Sequence, residues 1–355
     1  PAEAPEPAAE EIGGYRLLDV LGRGGMATVY RAAQEEPVQR EVAVKVLHQR
    51  LHGPHALARF EVERESLARM NHPHIARVLD AGFTKSSMPY VAMELVEGEP
   101  ITDYCERKEL PIEARLGLFT DVCEAVQHAH QKGVIHRDLK PTNVLVSDVH
   151  GEAHVKVIDF GLAKALDDSF AGDATLTVAG QILGTPAYMS PEQATGDDVD
   201  ATTDVYGLGM LLYELLVGEV AWDRDSITHE NFAQFIRRLA EEEPPRPSAR
   251  LSTLHGEGVP SLPGWERRLR GELDWITMKA LAKEPARRYP TPRAVAEDIG
   301  RFLRNEPVVA GPPSRAYRLR KFVDRHRAGV AAATVAGLAL IAGSVISAVF
   351  ASEAR

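Results

Sequence analysis

"HRDLKPTN" at residues 136–143 is followed by "VKVIDFG" at 155–161, and together they carry an Arg, an Asn, two Asp and two Lys among apolar and Pro positions. A solvated loop can hold such charges at random, and an isolated Asp-Phe-Gly is a common turn. Taken in order, however, they form a chemical set. Asp138 is suited to accept or orient the proton of an attacking hydroxyl. Asn143 and Asp159 offer the hard oxygen ligands that Mg²⁺ takes. Lys140 can neutralise a negatively charged reacting group, and Arg137 is left to hold an anion elsewhere.

Two stretches further toward the N-terminus extend the set. "LGRGGMATVY" at 21–30 places glycines at 22, 24 and 25 between two strand-like runs. Glycine lets the backbone approach phosphate oxygens, to which its N–H groups can donate. A glycine-rich hairpin is as often a plain turn, and no GK[ST] follows, so this is not a Walker loop. "VAVK" at 42–45 puts Lys45 in an apolar strand. Such a lysine commonly snorkels to solvent. A buried role needs an acidic partner, and the next helical pattern supplies Glu61, Glu63 and Glu65.

The chain has 355 residues, 44% of them hydrophobic and 26% charged, which is ordinary for a globular protein. A formal net charge of −10 argues against nucleic acid as a partner. The two cysteines, Cys105 and Cys123, form no CxxC or Cys/His cluster and read as packing residues in a reducing compartment. Residues 1–14, rich in Pro, Ala and Glu, are expected to be a disordered lead-in without a signal-peptide pattern. From Tyr15 to about residue 95 the text is strand-like. One amphipathic helix interrupts it, "ALARFEVERESLARM", with Phe60, Leu67 and Met70 at near-helical spacing. After a connector at Glu94–Gly98, residues 98–304 read as a larger helical lobe. The Pro- and Gly-rich stretch 243–264 reads as a surface loop within it. A ligand cleft between the lobes is the default expectation.

The whole pattern resembles a Hanks-type, eukaryotic-like bacterial serine/threonine protein kinase. The family's ordered motifs appear here as "GRGGMATV", "VAVK", "HRDLKPTN", "DFG" and "SPE". The resemblance runs from Tyr15 to about Leu303 and implies an α+β, bilobal protein-kinase fold that binds ATP with Mg²⁺, or Mn²⁺ in its place. It implies that Lys45 pairs with the phosphates and Glu63, that Asp138 is the catalytic base and that Asn143 and Asp159 are metal ligands. Lys140 would contact the γ-phosphate, and Thr185 would hydrogen-bond Asp138 and Lys140. Leu21, Gly22, Arg23, Gly24, Gly25, Met26, Ala27 and Thr28 would cover the nucleotide. Val29, Ala43 and Leu145 would sandwich the adenine, Met93 would close the back of its pocket, and Glu94 and Val96 would offer backbone groups to its edge. Glu192 would pair with Arg288, and Asp204 would anchor the catalytic loop from beneath. Ala27 stands where a third glycine is usual, and Ser190 replaces the Ala of Ala-Pro-Glu. Neither removes a phosphate or metal group, so a catalytically silent nucleotide-binding scaffold is the lesser alternative.

The same resemblance implies protein substrates with Ser or Thr hydroxyls. It also implies activation by autophosphorylation at Thr175 and Thr177, whose phosphates Arg137 would meet, with a homodimer as one route. Beyond the kinase region, residues 305–328 read as a basic linker. Gly329–Phe350 then runs without a charge, enough for a helix across the ~30 Å hydrocarbon core, with 351–355 as a tail. Arg-rich flanking text on one side places the kinase in the cytoplasm and the chain in the cell inner membrane as a single-pass protein.

Overall fold

The computed structural model describes residues 11–25, 27–48, 60, 62, 64–160, 186–222, 232–256 and 264–353. The small lobe is an antiparallel sheet of β1 (Glu11–Ile12), β2 (Tyr15–Arg23), β3 (Ala27–Gln34), β4 (Arg40–Leu47), β5 (Val78–Phe83) and β6 (Pro89–Glu94). Its strand order is β1-β2-β3-β4-β6-β5. Glu11 and Ile12, inside the expected lead-in, instead pair with Arg16 and Tyr15, because Ile12 has an apolar face to bury.

Alternation decides which side chains reach the cleft. Val42 and Val44 pack with Tyr15, Ala32 and Tyr90 on one face of the sheet. Ala43 and Lys45 therefore turn to the other face, opposite Met93 and Val91 respectively, with Val29 aligned to Lys45. The expected helix is described at Phe60, Val62 and 64–68. Phe60, Leu67 and Met70 are buried, as their spacing requires.

The strand-poor second lobe is built around α1 (Ile101–Arg107), α2 (Ile112–Gln131), α3 (Pro191–Thr195) and α4 (Ala201–Val217). They are followed by α5 (Phe232–Glu241), α6 (Pro247–Gly256), α7 (Trp265–Leu269), α8 (Glu272–Ala280) and α9 (Pro292–Leu303). A three-stranded sheet of β7 (Glu99–Pro100), β8 (Val144–Val149) and β9 (Glu152–Val157) lies at the lobe junction. Helix α4 is apolar nearly all round and is buried on every side, which makes it the axis of the lobe. A Cβ at Gly209 would lie 2.9 Å from Ala280 Cβ, so only glycine lets α4 and α8 approach this closely.

Two further stretches differ from the sequence expectation. Within 243–264, residues 247–256 are helical: Pro247 starts α6, Leu251 and Leu254 are buried one turn apart, and Ser248 binds the buried Asp274 through N (2.9 Å) and Oγ (2.7 Å). The flanking Pro and Gly hide this short apolar stripe in the text. The segment read as a linker from Asn305 is packed against the large lobe. Asp298, wholly buried, accepts hydrogen bonds from Val309 N (2.7 Å) and Ala310 N (2.8 Å). Helix α10 (Arg315–Arg325) then buries Lys321, whose Nζ lies 2.7 Å from Glu272 and 2.7 Å from Asn305 Oδ1. Tyr317 donates to the same Glu272 and sets its ring edge-on to Trp275. Helix α11 (Arg327–Glu353) follows.

Glu192, in α3, and Arg288 join that helix to the body of the lobe. The guanidinium makes two 2.7 Å bonds to the carboxylate, Thr203 Oγ1 adds a third at 2.6 Å, and the Arg288 side chain is fully buried. Burial alone would raise the Glu192 carboxyl, but the hydrogen bonds from Arg288 and Thr203 hold it down at about 2. A depressed carboxyl adds stability above its unfolded value, and that stability is lost as pH falls through the folded value. We expect this contribution to fade from pH 4.5 toward about pH 2. Urea unfolding should show Glu192→Ala destabilised by about 3–5 kcal/mol at neutral pH, and Glu192→Gln should lack the corresponding part of the acid slope.

Candidate active site

The catalytic-loop segment lies between α2 and β8 and is held from below by one carboxylate. Asp204, nearly fully buried on the first turn of α4, accepts from His136 N (2.8 Å), Arg137 N (2.8 Å) and His130 Nε2 (2.7 Å). Arg137 has φ +63°, a left-handed conformation costly for a side-chain-bearing residue, and these bonds help hold the turn there. Gln193 Nε2, in α3, donates to the Arg137 carbonyl at 2.7 Å. Leu139 packs onto α4 where Gly207 leaves room: a Cβ there would sit 3.0 Å from Leu139 Cβ.

On this base the polar groups converge. Lys140 Nζ lies 2.7 Å from Asp138 Oδ2. Asn143 Nδ2 donates to the Asp138 carbonyl (2.8 Å) and to its carboxylate (3.2 Å). Ile158 N donates to the Asn143 carbonyl (2.9 Å), which brings Asp159 alongside. Asp159, at φ +68°, turns its carboxylate to Lys45, with Nζ 2.7 Å from Oδ1. His136 is fully buried, and burial lowers its pKa against the opposing pull of Asp204 and Asp138. Its Nε2 donates to the Ile158 carbonyl (3.0 Å), its Nδ1 accepts from Asp138 N (3.3 Å), and its ring packs on Phe160.

The structure thus brings together Asp138, Lys140, Asn143, Asp159 and Lys45. Lys45, Met93, Val91, Val78, Leu67 and Phe160 line one small cavity behind them. Ala43 and Val29 share the sheet face of Lys45, and Leu145 lies on β8 across the junction. Glu94 gives its N–H to the Arg77 carbonyl (2.8 Å), and its carboxylate is held by Lys156 Nζ at 3.0 Å; Val96 follows in the connector. Leu21, Gly22 and Arg23 form the exposed end of β2 and lead into the turn at Gly24 and Gly25, with Gly24 N bonded to the Ala27 carbonyl (2.9 Å). Met26, Glu63, Thr175, Thr177 and Thr185 lie outside the described residues, so the expected Lys45–Glu63 pair has no geometry here.

Sequence reasoning missed three contributors. His48 donates from Nδ1 to the Gly25 carbonyl (3.1 Å) and accepts at Nε2 from Thr28 Oγ1 (2.9 Å), clamping the glycine turn to the end of β4. His130 and Gln193 brace the catalytic loop as above. The histidines stand in ordinary helix or strand-end text, with no pattern to single them out. Gln193 is signalled only by its capping box with Ser190.

The donor set suits the expected ligands. With its amide N–H groups given to Asp138, Asn143 keeps its amide oxygen for a cation beside the Asp159 carboxylate, and hard oxygen donors of this kind fit Mg²⁺.

The protein kinase domain family matches residues 15–298, and the chain belongs to that family. It is 37% identical over 316 residues to "Serine/threonine-protein kinase PknB" of Mycobacterium leprae, covering 88% of this chain and 45% of that protein. The Mycobacterium tuberculosis protein of the same name (strain H37Rv) is 40% identical over 299 residues, covering 82% of this chain and 43% of its own length. The chain therefore spans less than half the length of these curated relatives. The crystal structure of the Mycobacterium tuberculosis PknI kinase domain superposes with a TM-score of 0.60 at 27% identity, covering 84% of this chain and 100% of that one.

If Asp204 holds the catalytic loop, Asp204→Ala should raise hydrogen exchange at the His136 and Arg137 amides by at least about tenfold, with amides in the middle of α2 unchanged. Exchange mass spectrometry with short overlapping peptides reads both.

Proposed function

We propose that the chain is an ATP- and Mg²⁺-dependent protein serine/threonine kinase that transfers the γ-phosphoryl group to Ser or Thr hydroxyls of protein substrates. The carrying observation is the convergence of Asp138, Lys140 and Asn143 on a loop braced by Asp204, facing Asp159 and Lys45. The printed names of the relatives favour the serine/threonine class. Bound ATP with Mg²⁺ would supply the phosphoryl group and neutralise its charge. Asp138 orients the substrate hydroxyl and takes up its proton. Lys140, already 2.7 Å from that carboxylate, brings positive charge to the group in transfer. Asn143 and Asp159 would hold the metal ion. Lys45 and Asp159 neutralise each other at 2.7 Å, so phosphate for the lysine and a cation for the aspartate exchange one ion pair for two. Most of the acceleration then comes from positioning and fixed charge. The turn at 21–25 with Ala27 and Thr28, and the apolar surfaces of Val29, Ala43, Met93 and Leu145, form the nucleotide side of the cleft, with Glu94 and Val96 at its edge.

Two further parts belong to the same proposal. Thr175 and Thr177 are autophosphorylated, and their phosphates are met by Arg137. Helix α11 is the anchor: Arg327–Ser344 is long and apolar enough to cross a membrane, with mean hydropathy 1.4 and none of that stretch buried. Basic residues precede it, which favours a cytoplasmic side for the kinase lobes, at the inner membrane.

With labelled ATP, Mg²⁺ and a generic basic protein, Asp138→Asn should lower incorporation by about 10²–10⁴-fold while nucleotide binding persists. Equal incorporation by wild type and variant removes catalysis from the proposal and leaves a silent nucleotide-binding scaffold. Mass spectrometry after incubation with ATP·Mg²⁺ should find phosphate on Thr175 or Thr177, and their double replacement by Ala should lower turnover. Fractionation without detergent should leave the chain with membranes.

A further inference from the structure

The segment Asn71–Ile75, between the helix of the small lobe and β5, lies against β9 at the lobe junction. It is tied there by the backbone: Val157 N donates to the His74 carbonyl at 2.8 Å, and Ile75 bridges Val157. His74 turns its ring toward α2. Its Nδ1 lies 3.1 Å from the Val155 carbonyl oxygen. A carbonyl only accepts, so Nδ1 carries the proton, and the neutral ring keeps its lone pair on Nε2. That nitrogen faces Asp121 Oδ1 at 3.8 Å, too far for a direct hydrogen bond. Glu124 stands one turn further along α2. Ligand atoms of His74, Asp121 and Glu124 all lie within 4.8 Å of one another. Two donors at about 2.1 Å from a tetrahedral ion are about 3.4 Å apart. A 3.8 Å gap is therefore close to the space one ion needs.

We propose that His74 Nε2, Asp121 and Glu124 form a binding site for a borderline divalent transition cation, Zn²⁺ above all, with water completing its coordination. The chemistry selects the class. Imidazole suits Zn²⁺ and its neighbours, whereas Mg²⁺ and Ca²⁺ take oxygen ligands. The Nδ1–H bond to Val155 is the outer-shell arrangement that fixes a metal-bound histidine and its tautomer. His72 supports the ring from behind: its Nδ1 accepts from His74 N (3.3 Å), and its ring centroid is 5.5 Å from that of His74. An ion here would pin the exit of the small lobe's helix to α2, independently of anything in the catalytic cleft.

Equilibrium dialysis of the full chain in detergent micelles, with Zn²⁺ against excess Mg²⁺, should show one equivalent retained. Asp159→Asn, which alters the cleft and not this seam, should leave that equivalent in place. His74→Ala and Glu124→Gln should each weaken it by more than about tenfold. Glu124 is exposed, so its substitution tests the site even if His74→Ala fails to fold. Co²⁺ in place of Zn²⁺ should give visible absorption that both variants lose. Absence of a retained equivalent, loss of it in Asp159→Asn, or binding unchanged in Glu124→Gln overturns the proposal.

Discussion

A single carboxylate, that of Asp204, organises the candidate active site of this molecule. It accepts two consecutive backbone N–H groups, from His136 and Arg137, and the side chain of His130, all at 2.7–2.8 Å in an interior almost closed to solvent. Buried N–H groups need acceptors, and a loop with a left-handed Arg137 cannot obtain them from a regular ladder. Asp204 supplies them from the first turn of the most deeply buried helix, so the loop inherits the rigidity of the lobe's core. Without that anchor, Asp138, Lys140 and Asn143 would have no common frame.

The same logic extends outward in both directions. Above, β4 alternation sends Ala43 and Lys45 to the cleft because Val42 and Val44 are committed to the opposite face. Below, the buried Glu192–Arg288 pair ties α3 to the lobe, and from that helix Gln193 reaches back to the Arg137 carbonyl. A buried ion pair is weak evidence of net stability, yet removing either partner strands a charge. Its value here is positional: it sets where Gln193 stands.

Much of this was legible in the text because chemistry and periodicity coincide there. The strands around Gly22–Gly25, the apolar stripe of Phe60, Leu67 and Met70, and the charged residues of 136–143 and 155–161 announce themselves by spacing and type. Asp204 and the Glu192–Arg288 pair came only through family resemblance, since partners far apart in sequence leave no local signal. The braces His48, His130 and Gln193 left none that was read, because their roles depend on which backbone groups tertiary packing leaves needing a partner. Helix α6 was masked by neighbouring Pro and Gly. The packing of 305–321 was hidden because Lys321 and Tyr317 look like surface residues until Glu272 and Asp298 are placed beneath them.

That docking has a geometric consequence. A chain of arginines joined to a folded body by slack polypeptide would let the body tumble relative to whatever holds the far end. Here Glu272 grips α10 through both Lys321 and Tyr317, and α11 begins two residues after α10 ends. The tether behaves as a short bracket and not as a string. If α11 stands in a lipid sheet, the mouth of the cleft has a preferred bearing on that sheet, and the targets within reach are those presented at one height and from one side.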